Sequence, residues 1–285
     1  MNIPQPISLH PDRLFPVDPV TRDIARRLYS QVKALPILSP HGHTDPRWFA
    51  ENKPFSNPSA LLIQPDHYVF RMLFSQGVSM AELGIKRRDG GQVEQDPRAV
   101  WRRFAEHYYL FRGTPSRLWL DYVFSEVFGL TETLCPANAD SQYDAIAECL
   151  TRPEFLPQAL FERFNIEVLA TTESPLDDLR YHRQIQQSDW SGRVITAFRP
   201  DNVIDPETPG FRDNVVRLGE LSGEDVGSFA GYLRALFNRR AYFIEHGATS
   251  TDHGHPTPAT ADLSDAVSEE LYQTVMSGVC SLSEA

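Results

Sequence analysis

The chain has 285 residues, 41% hydrophobic and 23% charged, which is enough apolar material for a sizeable core and too much for a disordered tail. Lys and Arg number 27 against 38 Asp and Glu, a formal charge of −11, and that balance argues against a nucleic-acid partner, which selects a basic footprint. No stretch approaches the roughly 20 apolar residues that cross a bilayer. The opening MNIPQPISLHPDR lacks the charged and apolar regions of a secretory signal. Cys135, Cys149 and Cys280 have no CxxC spacing and suit a reducing cytoplasm.

In chain order, Asp18-Pro19 opens a first helix as N-cap and N1 proline, with Ile24, Ala25, Leu28, Tyr29 and Val32 at helical spacing. Pro36 ends it and begins a buried strand, Pro36 to His43, with His41-Gly42-His43 at its C-terminal end. Residues 46–165 read as helical almost throughout: one helix through Val69, Met72 and Leu73, a second through Val100, Trp101, Phe104 and Tyr108, and a third through Leu118, Trp119 and Tyr122. The tryptophans here are expected to pack between helices. Arg87 to Pro97 is a loop by composition.

From residue 166 the rhythm changes. Ile166 to Thr172 and Arg193 to Phe198 are β-branched strands separated by a helix through Leu176, Leu179 and Ile185. A long helix is expected from about Glu224 to His246, capped by Gly247. A fourth strand, Ala248 to Thr251, leads into Asp252-His253-Gly254-His255, and an amphipathic helix bearing Val267, Leu271 and Val275 follows. Strands alternating with helices imply a parallel α/β sheet. Three of the four strands end in polar clusters (HGH, FRPD and TDHGH), which places the chemistry over their carboxyl ends, as in a (β/α)8 TIM-type barrel. Such a barrel needs eight strands and about 250 residues. The expectation is therefore an incomplete barrel domain over 1–285, its N-terminal part with about four strands, and a helical insertion over 46–165 after the first strand.

His41 and His43 carry the strongest chemical signal. Positions i and i+2 of a strand face the same side, so the two imidazoles converge, and neutral imidazole is a common ligand of divalent metals. The bland alternative is two histidines at a turn. Catalytic zinc usually takes three protein ligands; Asp252, His253 and His255 are candidates for the third, as is a carboxylate absent from this sequence. Asp66 reads as an N-cap that places His67 and Tyr68 in a first helical turn, where the helix favours negative charge on a phenol oxygen; simple packing is the alternative. Arg199 at a strand tip is placed to grip a carboxylate, or to pair with Asp201. No GxSxG, P-loop or GxGxxG is present.

Taken in order, Leu35-Pro36-Ile37 with His41-Gly42-His43, Asp66-His67-Tyr68 with Arg71, Phe111-Arg112-Gly113-Thr114-Pro115, Ala170-Thr171-Thr172, Phe198-Arg199-Pro200-Asp201 and Ser250-Thr251-Asp252-His253-Gly254 resemble the uronate (glucuronate) isomerases, a divergent branch of the amidohydrolase superfamily. The family's TTDDP-like segment departs here to Thr172-Glu173-Ser174-Pro175, a change read as mattering little for chemistry. Cysteine usage, the acidic balance and the lack of a membrane-length apolar stretch give the expectation of a cytoplasmic protein without nucleic-acid or membrane partners, open to homo-oligomerisation, and the resemblance implies an enzyme. It would interconvert D-glucuronate with D-fructuronate and D-galacturonate with D-tagaturonate. It assigns His41 and His43 to a divalent metal, zinc, whose third ligand is expected on a missing C-terminal part. It places His67 and Tyr68 at the chemistry, and Arg199 and His253 on the substrate. Two alternatives are a metal-dependent amidohydrolase-type hydrolase, for which the DHY motif has no evident use, and a catalytically inactive fragment.

Overall fold

The structure is a computed structural model that describes residues 3–255 and 259–278; Cys280 lies outside the described residues. In chain order the elements are α1 (Pro19–Val32), β1 (Ile37–Ser39), α2 (Pro46–Glu51), α3 (Pro58–Leu62), α4 (His67–Ser75), α5 (Pro97–His107), α6 (Pro115–Tyr122), α7 (Ala139–Leu150) and α8 (Pro157–Arg163). There follow β2 (Ile166–Glu173), α9 (Arg180–Gln186), β3 (Arg193–Phe198), α10 (Asp201–Ile204), α11 (Phe211–Ser222), α12 (Phe229–Glu245) and α13 (Asp265–Ser277). They divide into two compact units, Met1–Leu35 with Lys53–Leu160, and Pro36–Asn52 with Phe161–Ala285. The 46–165 segment is thus shared between the units, and α2 stays with the sheet because Phe49 packs on Phe161 and stacks on Trp190.

Helix starts follow one local rule. Asp18, Asp45, Asn57, Asp96 and Thr114 each precede a proline at N1 and accept a backbone N–H of the first turn through the side chain. The proline gives up a donor that the helix start cannot use, and the cap satisfies another.

The helical unit is centred on aromatic side chains. Trp101, Phe104, Tyr108, Phe111 and Phe124 are fully enclosed, with ring centroids 5.5 Å apart for Trp101–Phe104 and 5.3 Å for Phe104–Tyr108. Burial is tolerated because each polar tip has a partner: Trp101 Nε1 donates to the Ala139 carbonyl at 2.9 Å and the Tyr108 hydroxyl to Asp121 at 2.8 Å. α1 differs, since its apolar stripe through Ile24, Leu28, Tyr29 and Val32 is exposed and the helix buries no residue.

The sheet unit has three parallel strands in the order β1-β2-β3. β2 is central, pairing Leu38 with Val168 and Ser39 with Leu169 on one side, and Val168 with Arg193 through Glu173 with Phe198 on the other. Three expectations are corrected. The first strand ends at Ser39, short of His43, because Pro40 has no N–H to continue the ladder. It is also not buried: among the described residues it pairs on one side only, and Leu38 is 64% exposed. The fourth strand is reduced to one parallel bridge, Phe198 to Thr251, bounded by hydrogen bonds from Phe198 N–H to Ser250 O and Asp252 N–H to Phe198 O. The long helix starts at Phe229 and not at Glu224, since left-handed Gly223 ends α11 and Ser228 caps α12.

Truncating Phe104 to Ala, which removes a ring enclosed by other rings, is expected to lower the stability of the helical unit by about 3–5 kcal/mol, read from urea midpoints.

Candidate active site

In the sheet unit the side chains with chemical capacity gather beyond the carboxyl ends of the strands. His41 and His43 lie on the irregular segment after β1, yet their Nε2 atoms are 3.1 Å apart. The convergence therefore comes from the bend after Pro40 and not from strand alternation. Gly42 makes the bend possible: a Cβ there would meet the Ala170 carbonyl oxygen at 3.1 Å, so the turn rests directly on the backbone of β2.

Each imidazole is held from its far side. His41 Nδ1 is 2.7 Å from Asp252 Oδ2, and His43 Nδ1 is 3.4 Å from the Thr172 hydroxyl. Groups at Nδ1 turn the Nε2 lone pairs toward each other, the arrangement that orients metal-binding histidines. Two nitrogens at about 2.0–2.1 Å from a tetrahedral zinc lie about 3.3 Å apart, so the observed pair fits that spacing. Among the described residues, however, no group of three or more His, Cys, Asp or Glu could hold a metal ion. The pair has the spacing to serve as two ligands of such an ion. Asp252 meets His41 at Nδ1, on the side away from His43, which makes it the orienting group and removes it as the third ligand in this arrangement.

Arg199 is bound to the chain's own acids. Its Nε donates to Asp201 at 2.8 Å and its Nη1 lies 3.5 Å from Asp252, so the guanidinium fixes the carboxylate that fixes His41. Burial pushes the Asp201 carboxyl up, but the Gly254 N–H and Arg199 outweigh it and hold the group below the usual carboxylate range. Gly254 has no room for a side chain, since a Cβ would meet Asp201 Oδ2 at 2.8 Å and Arg199 Nη2 at 2.9 Å. His253 goes elsewhere: it is exposed, and borders an apolar hollow of about 350 Å³ with Phe198, Leu233 and Phe237. The neighbours Asp252 and His253 part company here, and the DHGH motif contributes its aspartate to the histidine pair.

In the helical unit, Asp66 caps α4 by accepting the Tyr68 and Val69 N–H groups at 2.8 and 3.1 Å. His67 and Tyr68 stand in the first turn with ring centroids 4.5 Å apart, and Tyr68 is 67% exposed, which leaves its phenol accessible.

One group, read in the sequence only as part of a departure of little chemical weight, has a buried polar role. Glu173, the last residue of β2, is buried, and its Oε2 accepts hydroxyls from Thr171, at 2.9 Å, and from Thr196. Alternation from Leu169, a core position, marks residues 171 and 173 as inward-facing and would have drawn attention to a carboxylate there.

An α/β chain with paired imidazoles beyond the ends of a parallel sheet belongs to a class in which chemistry sits at the strand termini. Comparison with known proteins gives the family. Residues 19–284 match the glucuronate isomerase family, and the chain belongs to it. It is 63% identical to the uronate isomerase of Rhizorhabdus wittichii over 280 residues, covering 98% of this chain and 59% of that protein. It is 60% identical to the uronate isomerase of Xanthomonas axonopodis pv. citri, again over 98% of this chain and 59% of the relative. The crystal structure of glucuronate isomerase from Caulobacter crescentus superposes with a TM-score of 0.93 at 54% identity, covering 98% of this chain and 58% of that one. Uronate isomerase from Thermotoga maritima gives 0.85 at 27% identity, over 97% of this chain and 58% of that one. The chain thus spans a little under three-fifths of the length of these relatives.

Replacing Arg199 with Ala should raise the Asp201 pKa, because a hydrogen-bond donor and a charge are removed together; a carboxyl-carbon NMR titration reads the shift directly.

Proposed function

We propose that the chain carries part of a hexuronate isomerase, interconverting D-glucuronate with D-fructuronate and D-galacturonate with D-tagaturonate in uronate catabolism. The observation that carries the reading is the approach of the His41 and His43 Nε2 atoms to 3.1 Å, in a chain whose relatives bear the name uronate isomerase. The three parallel strands are read as part of a (β/α)8 barrel.

The reaction moves hydrogen between adjacent carbons of the ring-opened sugar acid. C2 loses its proton and the electron pair forms a C1–C2 double bond as the C1=O π bond breaks and O1 takes a proton; the enediol then takes a proton at C1 while O2–H gives one up and C2=O forms. The demand is to relay one proton and to stabilise charge on two oxygens. His41 and His43 would hold a divalent metal, zinc, with a third ligand outside the described residues. When bound, such an ion supplies Lewis-acid stabilisation of oxygen charge. The chain's own residues do the rest. Asp252 keeps the His41 proton on Nδ1, and Arg199 with Asp201 keeps Asp252 in place. Tyr68 is the proposed proton carrier between C2 and C1, and the neighbouring His67 imidazole is proposed to hydrogen-bond the sugar oxygens. Arg199, bound to two carboxylates, is read as a positioning group and not as the first grip on the substrate.

Isomerisation of glucuronate and galacturonate, measured against a panel of esters and amides, tests the reading; turnover of the esters or amides alone would replace it with the hydrolase alternative. In a protein that isomerises hexuronates, Tyr68→Phe should reduce turnover by about 10²–10⁴-fold with a smaller change in KM. Asp252→Ala should weaken Zn²⁺ binding by about 10–100-fold in a chelator competition, as loss of an orienting carboxylate does elsewhere.

A further inference from the structure

We propose that Glu173 is a positioning residue for the His41–His43 pair, acting through the tip of β2 from the face opposite the histidines. Strand alternation separates the two faces. On one, Thr172 meets the Gly42 carbonyl at 3.3 Å and His43 Nδ1 at 3.4 Å. On the other, Glu173 Oε2 takes the hydroxyls of Thr171 on its own strand and Thr196 on β3, so one carboxyl ties the two strands together at their ends. The Glu173 backbone carbonyl accepts the Arg199 N–H at 2.9 Å, which carries the same constraint to the Arg199–Asp252–His41 chain. Glu173 touches no imidazole of the pair in this arrangement. It fixes the strand on which both of their supports rest.

A second buried group completes the cluster. His182 of α9 is 1% exposed, and its Nε2 lies 2.9 Å from the Thr171 hydroxyl oxygen. The Thr171 proton goes to Glu173, so His182 Nε2–H donates to Thr171. His182 Nδ1, which has no hydrogen-bond partner among the described residues, is then a bare acceptor, less costly to bury than a bare N–H. The chain His182 → Thr171 → Glu173 runs in one direction and leaves the imidazole neutral.

Charge follows from this arrangement. Burial pushes the Glu173 carboxyl up to about 7, against the pull of Thr196 and Thr171 and with help from Asp177 and Asp45. Burial, with a small contribution from His246, pushes His182 down to about 4. The carboxyl therefore adds stability that is complete below its ordinary value of 4.5 and is lost as pH rises through about 7. The imidazole adds stability that is complete above 6.5 and is lost as pH falls through about 4. Between about 4.5 and 6.5 the pair binds one proton in either state, on His182 when unfolded and on Glu173 when folded. The cluster contributes no slope in that window, a falling one from about 6.5 to about 7, and none beyond.

The test compares the 285-residue chain with Glu173→Gln, Glu173→Leu and Thr196→Val. Its zinc arm rests on the metal reading above; its amide arm does not. Glu173→Leu should speed hydrogen exchange at the Arg199 amide by about 10-fold or more relative to mid-strand amides of β3, and weaken Zn²⁺ binding by about 10–100-fold. Glu173→Gln, which keeps an acceptor and cannot titrate, should leave both within about twofold, abolish the fall in stability that ends as pH passes about 7, and uncover the rise that His182 gives between about 4 and 6.5. Should Glu173→Leu not fold, Thr196→Val serves in its place, with acceleration at Arg199 in the same direction. Wild-type Arg199 protection in the folded Leu variant, or in the Val variant where Leu does not fold, would overturn the inference. So would a Glu173→Gln variant whose stability keeps the wild-type pH dependence between about 4 and 7. A wild-type chain that binds no Zn²⁺ would remove the metal reading alone, and the Arg199 amide would still decide the role of Glu173.

Discussion

The sheet unit depends on the pairing of β2 with a strand on each side. β2 has eight residues where β1 has three, and it supplies the backbone on which both neighbours are registered. The site inherits this asymmetry. Ala170 supports the His-Gly-His bend through its carbonyl, Thr172 approaches His43, and Glu173 receives the Arg199 amide. Three inputs to the histidine pair thus come from a strand that contains neither histidine. A parallel sheet suits this use, because its strand ends all face the same way and its crossovers keep the tips within side-chain reach.

The helical unit has a different logic. Its rings are fixed by volume and by the few polar partners that their tips demand, and Arg117 adds a cation over the Tyr108 face at 4.2 Å while pairing with Asp121. Enclosed rings of this kind give a rigid body, and α4 is part of it through Val69 and Leu73, both fully buried. Tyr68 thus projects from a helix whose opposite face is immobilised, which suits the proton-carrying role proposed for it.

Much of this was legible in the residues. Asp18-Pro19 and Asp66 mark helix starts because an N-cap is a local interaction, decided within four residues. The β-branched runs that became β2 and β3 were readable because buried parallel strands need continuous apolar character. The His41–Gly42–His43 convergence was legible in outcome but not in cause, since a strand was assumed where Pro40 had already ended the ladder. The roles of Asp252 and Arg199 were not legible. A carboxylate that binds Nδ1 of a histidine 211 positions earlier, and a guanidinium spent on two acids, are tertiary facts without a sequence period. Glu173 stands in the sequence only as part of a departure from the family pattern with little weight for the chemistry, because the hydroxyls of Thr171 and Thr196 that meet it come together only in the fold.

The glycine between the two histidines has a consequence for anyone who would move this element to another scaffold. Copying the tripeptide alone transfers the imidazoles without the surface that bends them, because that surface is a peptide oxygen of a different strand. A graft would have to bring a parallel neighbour running alongside, with its carbonyl at the same height, or else the two rings would part. The portable unit is a strand pair and its turn, and the histidines are its visible end.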